Sequence, residues 1–503
     1  MFRKIIFLTL TFIFLLTACL PVGQIQVDIE TPAARESVES PTETVAPDVI
    51  PNSTETPAPT EEPSAALAGT VTGRVCYPSE VIPAMNAFFR NVHTGALTEL
   101  AIAENQSEYS LELEVGTYEA FAYLQAGDLG GAYSQAVLCG LTIECLDHSL
   151  LTFDVQTGQT STNIDLCDWY EPLAVPVNPR ATLVADPALA GLVYLNMLAT
   201  SLWRVDATGS ATPALAQGDM GTVVSPDGTQ ALYFKNDDVW LGDLTTGTWR
   251  NLTNTPDRVE YPAFWVPGTD WVGLSSHNPA ESDGLPMWQL TFVRLDGSGY
   301  EVVDPGAMWG VPAASPDGVT VAYDVDGAAR LYRIGSGVEG FDPAQYGLTG
   351  VEKISAPAFS PDGKQLAWWV SGPLNGGNTQ VALAVFALEA GTVTLIHPYT
   401  PISGEGFSNP VWSPDGQWLA SNVIGDGSRS ALWVFKADGS EEHLLGDGAQ
   451  PVWSPASNAL LFITWGSGPA YEGALNRVVL GDWGIAPLSL PLGSFPLAWK
   501  GES

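Results

Sequence analysis

Five histidines, His93, His148, His277, His397 and His443, are scattered through a 503-residue chain that carries 56 acidic and 19 basic residues. None stands in H-E-x-x-H, the helical spacing that would put two imidazoles on one zinc ion, and no G-x-S-x-G elbow presents a serine nucleophile. What remains is carboxylate chemistry. Asp237-Asp238 and the run "DVDG" from Asp324 to Gly327 are acidic pairs that could bind calcium or act on glycosidic bonds. The second supplies the start of a calcium loop without its distal glutamate. Turns between strands use Asp and Gly for their own geometry, so both runs also fit plain turns. The sequence assigns no catalytic residue and no metal ligand, and calcium is the one cofactor these turns leave open.

The elements that must position such residues are short and numerous. Gly (51) and Pro (38) are frequent and favour turns over long helices, while 45% hydrophobic residues are ample for a core. A net charge of −37 repels phosphate backbones and excludes nucleic acid as a partner.

Residues 69–170 hold short alternating or apolar runs, among them "TVTGRVCY", "MNAFFRNV", "YSLELEVGTYEAFAYL" and "LLTFDV", separated by turn residues. This predicts a small β-sandwich. Residues 180–503 repeat one string. "GTVVSPDG" starts at Gly221, "VPAASPDG" at Val311, "APAFSPDG" at Ala356 and "NPVWSPDG" at Asn409. Weaker copies are "YPAFWVPGTD" and "QPVWSPASN". Aligned on Thr222, Pro262, Pro312, Pro357, Pro410, Pro451 and Pro496, the copies are 40 to 53 residues apart. Self-similarity of that length in an all-β sequence predicts propeller blades. Pro opens an inner strand where no ladder hydrogen bond is lost, and Ser-Pro-Asp-Gly makes the turn out of it. The repeat is thus a structural turn. The anchors count seven blades, with six or eight left open by the weak copies. The last strand, near Phe495 to Trp499, should complete the blade begun near Gly191 and close the ring. Trp412 and Trp453 fall in the blade core by register.

The "PxWSPDG" string with its following strands resembles the WD-like repeats of TolB-type propellers. That resemblance implies a binding surface at the propeller mouth. "GTVTGRVCYP" followed by "LEVGTYEAFAYL" resembles the transthyretin-like or carboxypeptidase-regulatory-like sandwich. All of Cys76, Cys139, Cys145 and Cys167 lie in that stretch, and an even count outside the cytoplasm implies two disulfides. In such sandwiches the first and last strands are neighbours, which implies Cys76–Cys167 and leaves Cys139–Cys145. The rival is a metal site with His148, although the spacing fits no common zinc pattern.

The chain opens with Arg3 and Lys4 and an apolar run from Ile5 to Leu16, too short to span a bilayer as a helix. It reads as a signal segment over residues 1–18. The run ends in Leu16-Thr17-Ala18-Cys19, which resembles a bacterial lipobox and implies lipidation of Cys19. Residues 19–68 are a Pro/Thr/Ser/Glu-rich tether that cannot bury enough apolar surface to fold.

These readings give an all-β protein: a lipid-anchored, disordered tether, a β-sandwich, then a seven-bladed propeller, held in the bacterial cell envelope outside the cytoplasm. The residues expected at the mouth are Tyr261, Trp309, Ser408, Asn409, Gln450 and Phe495. The function expected is non-catalytic binding or scaffolding of a protein, peptide or glycan, and the chain is expected not to be an enzyme. The alternative is a hydrolase or lyase acting on polysaccharide or peptide at the mouth. Carboxylates with raised pKa values there would favour the enzyme.

Overall fold

The computed structural model describes residues 67–501 except 126–128, 171–174, 282–287, 305, 307, 309, 402–405, 425–429, 465–472 and 492. Cys19, the signal segment and nearly all of the tether lie outside the described residues, as does Trp309.

The described chain is almost entirely strand. Its N-terminal part forms two sheets. Strand Ala68–Arg74 pairs antiparallel with Glu108–Glu114 and parallel with Thr160–Ser161. In the other sheet Met85–Asn91 lies between Leu97–Ile102 and Gly116–Leu124. Val71 and Leu113 from the first sheet share one buried cluster with Phe89, Ala120 and Tyr118 from the second. Disulfides join Cys76 to Cys167 and Cys139 to Cys145. Both pairs are therefore closed as cystines rather than open as metal thiolates. Between them Asp168, wholly buried, accepts from Ser134 Oγ at 2.5 Å and meets His148 Nδ1 at 2.8 Å.

Seven sheets follow one another among the described residues of the remainder, each an antiparallel meander. The fold is a β-propeller. In the last sheet to close, Ser494–Trp499 from the C-terminal end pairs with Leu192–Asn196, in the register Leu192 to Trp499 and Leu195 to Phe495. The other six sheets run consecutively, for example Lys353–Phe359, Gln365–Gly372, Gln380–Ala387 and Thr392–Tyr399.

The repeated string works in two places. At the turn, the serine hydroxyl donates to the aspartate two residues on: Ser225 to Asp227 and Ser413 to Asp415 at 2.6 Å, Ser360 to Asp362 likewise. The same oxygen accepts the amide five residues later, as from Gln365 and Trp418 at 2.9 Å. Gly363 and Gly416 sit at φ of 70° and 69°, the left-handed region glycine tolerates best. In the weak copy Ser457 takes that conformation, at φ 59°. On the inner strand, the tryptophan laces neighbouring sheets. Trp265, Trp412 and Trp453 donate their indole N–H to Val223, Ala358 and Val411 carbonyls of the preceding sheet, at 3.0, 3.1 and 2.9 Å. Trp412 and Trp453 are buried. A tryptophan both fills the inter-sheet core and adds a hydrogen bond from the next sheet to that carbonyl.

Candidate active site at the propeller mouth

The starts of the inner strands converge, and one side chain shows it. Asn409, just before its inner strand, donates from Nδ2 to the carbonyl of Val311 at 2.7 Å and of Pro357 at 2.8 Å. Three successive sheets thus meet at one amide. The neighbouring Ser408 is turned inward: its Oγ accepts the Asn422 amide at 2.9 Å. Gln450, at φ 52°, holds a buried Oε1 with no hydrogen-bond partner. Tyr261 is half-buried and stacks on Phe234, with centroids 4.2 Å apart. Phe495 is fully buried and packs in the core beneath the closing sheet. Its strand pairs with Leu192–Asn196 on one side, so the ring falls inside the sheet packing and is not part of the accessible mouth.

Two carboxyls are raised out of their ordinary range. Asp324 is 1% exposed. Its Oδ1 has no hydrogen-bond partner. Burial pushes its pKa up to about 7, only partly offset by backbone N–H groups including that of Gly310. Asp219 precedes the first inner strand of the repeat series. Its oxygens accept the amides of Gly221 at 2.9 Å and Phe234 at 3.1 Å. Burial nevertheless raises it to about 6. By contrast, the turn aspartates Asp227, Asp317 and Asp362 are held below the usual range, first by their serine hydroxyls. The fold therefore separates structural aspartates from two whose pKa burial raises, to about 7 at Asp324 and about 6 at Asp219. That separation marks candidate functional groups.

A sequence signal for Asp324 exists once the repeat is in register. Nine residues after each turn serine, the strand carries Phe234, Asp324, Trp369, Asn422 and Ile463. One copy alone places a carboxyl there. The local reason "DVDG" looked like a calcium loop is a hairpin: Asp326 and Gly327, at φ 53° and 77°, connect Thr320–Val325 to Ala328–Arg333. Asp237, the first acid of the other pair, is likewise a turn residue at φ 66°. Asp238 braces the next strand by accepting from Asn251 Nδ2 at 2.7 Å and the Thr255 amide at 3.0 Å. Among the described residues no group of three His, Cys, Asp or Glu side chains stands at metal-binding spacing.

No protein-family model matches the chain. A Bacillus subtilis (strain 168) protein described as the uncharacterized peptidase YuxL is 28% identical over 131 residues, 25% of this chain and 19% of that protein. The chain thus spans about a fifth of the length of that curated relative. Among solved structures, TolB from Acinetobacter baumannii is similar at 16% identity and TM-score 0.34, covering 55% of this chain and 65% of that one. An oligogalacturonate lyase from Vibrio parahaemolyticus is similar at 16% identity and TM-score 0.41, covering 56% and 93%. A puromycin hydrolase is similar at 15% identity and TM-score 0.41, covering 61% and 52%. The expectation of a chain that is not an enzyme is corrected by the curated relative, which is named a peptidase. Of the two raised carboxyls, Asp324 stood in the acidic run "DVDG", and Asp219 had no signal in the sequence.

The two disulfides fit an oxidising, extracytoplasmic compartment. Among the described residues no helix is long and apolar enough to cross a membrane.

Proposed function

We propose that the chain is an extracytoplasmic hydrolase or lyase that cleaves polysaccharide at the propeller mouth, with Asp324 as its proton donor. The observation that carries this reading is a carboxyl, 1% exposed, whose Oδ1 has no partner and lies where a side chain on Gly310 would stand, and whose pKa burial raises to about 7. A carboxylic acid that keeps its proton near neutrality can give it to a leaving glycosidic oxygen, the demanding step in glycan cleavage. Asp219, raised to about 6 by burial, is the other carboxyl with a raised pKa and is assigned here as the base. Peptide is the rival substrate, in keeping with the name of the curated relative. It is tested by the same assay. Detergent-solubilised full-length protein is incubated with panels of polysaccharides and of peptides, and new ends are read by mass spectrometry. Glycan cleavage that disappears in Asp324→Asn supports the reading. Peptide cleavage alone, or glycan cleavage unchanged in Asp324→Asn, overturns it.

The placement proposed is a lipid-anchored one. Cys19 would carry the acyl chains, residues 19–68 would act as the stalk, and residues 69–170 would form a transthyretin-like sandwich between stalk and a seven-bladed propeller. Mass spectrometry of the N-terminal peptide from native membranes tests the anchor: an unmodified Cys19 rules it out.

A further inference from the structure

Beside the mouth stands a cation that the fold holds but does not neutralise. Arg258 donates from one terminal nitrogen to Ser276 Oγ at 3.0 Å and to Gln289 Oε1 at 2.7 Å. Its Nε is buried with no partner. No salt bridge to Arg258 occurs among the described residues, although the chain carries 56 carboxylates for 19 basic side chains. Glu260, fully buried, accepts at Oε1 from Thr255 and Tyr300 at 2.6 and 2.7 Å, while its Oε2 has no hydrogen-bond partner. The guanidinium is thus fixed in direction by two neutral acceptors on one terminal nitrogen, and its buried Nε donor stays unpaired.

His277 adds a second free polar atom. Its Nδ1 is buried and unpartnered. Burial and the charge of Arg258 hold its pKa below the usual imidazole range, so the ring is neutral and can donate or accept. The ring meets Trp288 edge-on at 4.4 Å, and Trp288 meets Tyr261 at 5.4 Å. Arg258, His277, Trp288 and Tyr261 are each partly exposed. A cation and an imidazole therefore line up with two aromatic rings along the start of Val259–Trp265 and the end of Trp271–His277.

We infer that this wall is a subsite for an anionic sugar unit, one bearing a carboxylate or a sulfate ester, with Arg258 and His277 on the charge and Trp288 and Tyr261 against the ring. An unpaired, partly buried guanidinium is costly to a fold unless something pairs with it. A chain of net charge −37 repels anions in general, so an anionic ligand needs a built cation to be accepted at all. Aromatic faces beside it suit the apolar C–H surface of a pyranose. The inference rests on the polysaccharide reading above and names its substrate class.

Titration calorimetry on the full-length protein tests it, with three probes: a short oligouronide, a sulfated oligosaccharide and a neutral oligosaccharide of equal length. The charged probes are expected to bind at least tenfold more tightly than the neutral one, and which charged probe wins identifies the anion. Arg258→Gln should abolish that preference, Arg258→Lys should keep part of it, and His277→Phe should weaken it several-fold. Melting temperature reports whether each variant folds. Equal affinity for neutral and charged probes, or a preference unchanged in folded Arg258→Gln or His277→Phe, overturns the subsite. The two readings fail separately. Anion-selective binding without turnover sinks the enzyme and keeps the subsite, and turnover of neutral glycans without anion preference does the reverse.

Discussion

A methyl group placed on Gly310 would stand 2.7 Å from Oδ1 of Asp324. A side chain at residue 310 can therefore be accommodated only if the Asp324 carboxyl shifts. Gly310→Ala is expected to displace the carboxyl and lower kcat/KM at least tenfold, with the melting temperature down by only a few degrees. Steady-state kinetics beside a thermal scan separate this from general unfolding. A fully active Gly310→Ala would mean that the position of Asp324 does not matter.

Asp324 also predicts a pH profile. Its pKa is raised, so the folded protein holds a proton that the unfolded chain releases above pH of about 4. Its contribution to stability is complete at lower pH and declines as pH rises to about 7, by at most about 4 kcal/mol for a shift of roughly three units. Activity that needs the protonated acid should instead hold up to about pH 6 and fall as pH rises through about 7. Asp324→Asn should flatten the stability slope between pH 5 and 7, which denaturant melts at several pH values would show.

The turn aspartates have the opposite sign. Asp227, Asp317 and Asp362 are held below the usual range by serine hydroxyls and turn amides. They stabilise the fold above the ordinary carboxylate pKa and lose that effect as pH falls below it. Each is largely exposed, so Asp362→Ala should cost no more than about 1 kcal/mol. Denaturant midpoints at pH 7 and pH 3 should show the difference between wild type and Asp362→Ala shrinking in acid.

Asn409 is expected to behave as a structural tie. Its Nδ2 satisfies the Val311 and Pro357 carbonyls, which belong to two other sheets. Asn409→Ala leaves both acceptors without that donor and should cost about 1–3 kcal/mol. Asn409→Asp, which replaces the donor with an acceptor, should cost at least as much. Stability equal to wild type in both would show that the convergence of inner strands does not depend on this amide.

Much of the architecture was legible in the sequence because it repeats. Ser-Pro-Asp-Gly recurs since each turn needs a hydroxyl, a preset φ, an acceptor and a left-handed residue in that order. The inner-strand tryptophan recurs because each sheet must fill and bond the one before it. Asp324 was visible only as part of a turn, because its significance lies in what surrounds it: burial and an oxygen left without a donor. Arg258 and His277 were invisible for the same reason. A sequence shows which groups exist but not which stay unpaired after strands from distant positions have packed. Phe495 was misplaced because the closing strand's pairing decides whether its ring faces the mouth or the core.

The most direct test of the account is single-turnover cleavage of a polysaccharide by wild-type protein and Asp324→Asn across pH 5 to 9. Wild-type cleavage is expected to fall as pH rises through about 7, with at least a hundredfold loss in a folded Asp324→Asn that still binds the glycan. Cleavage by Asp324→Asn at the wild-type rate, or no cleavage of any polysaccharide by folded wild-type protein, would contradict it.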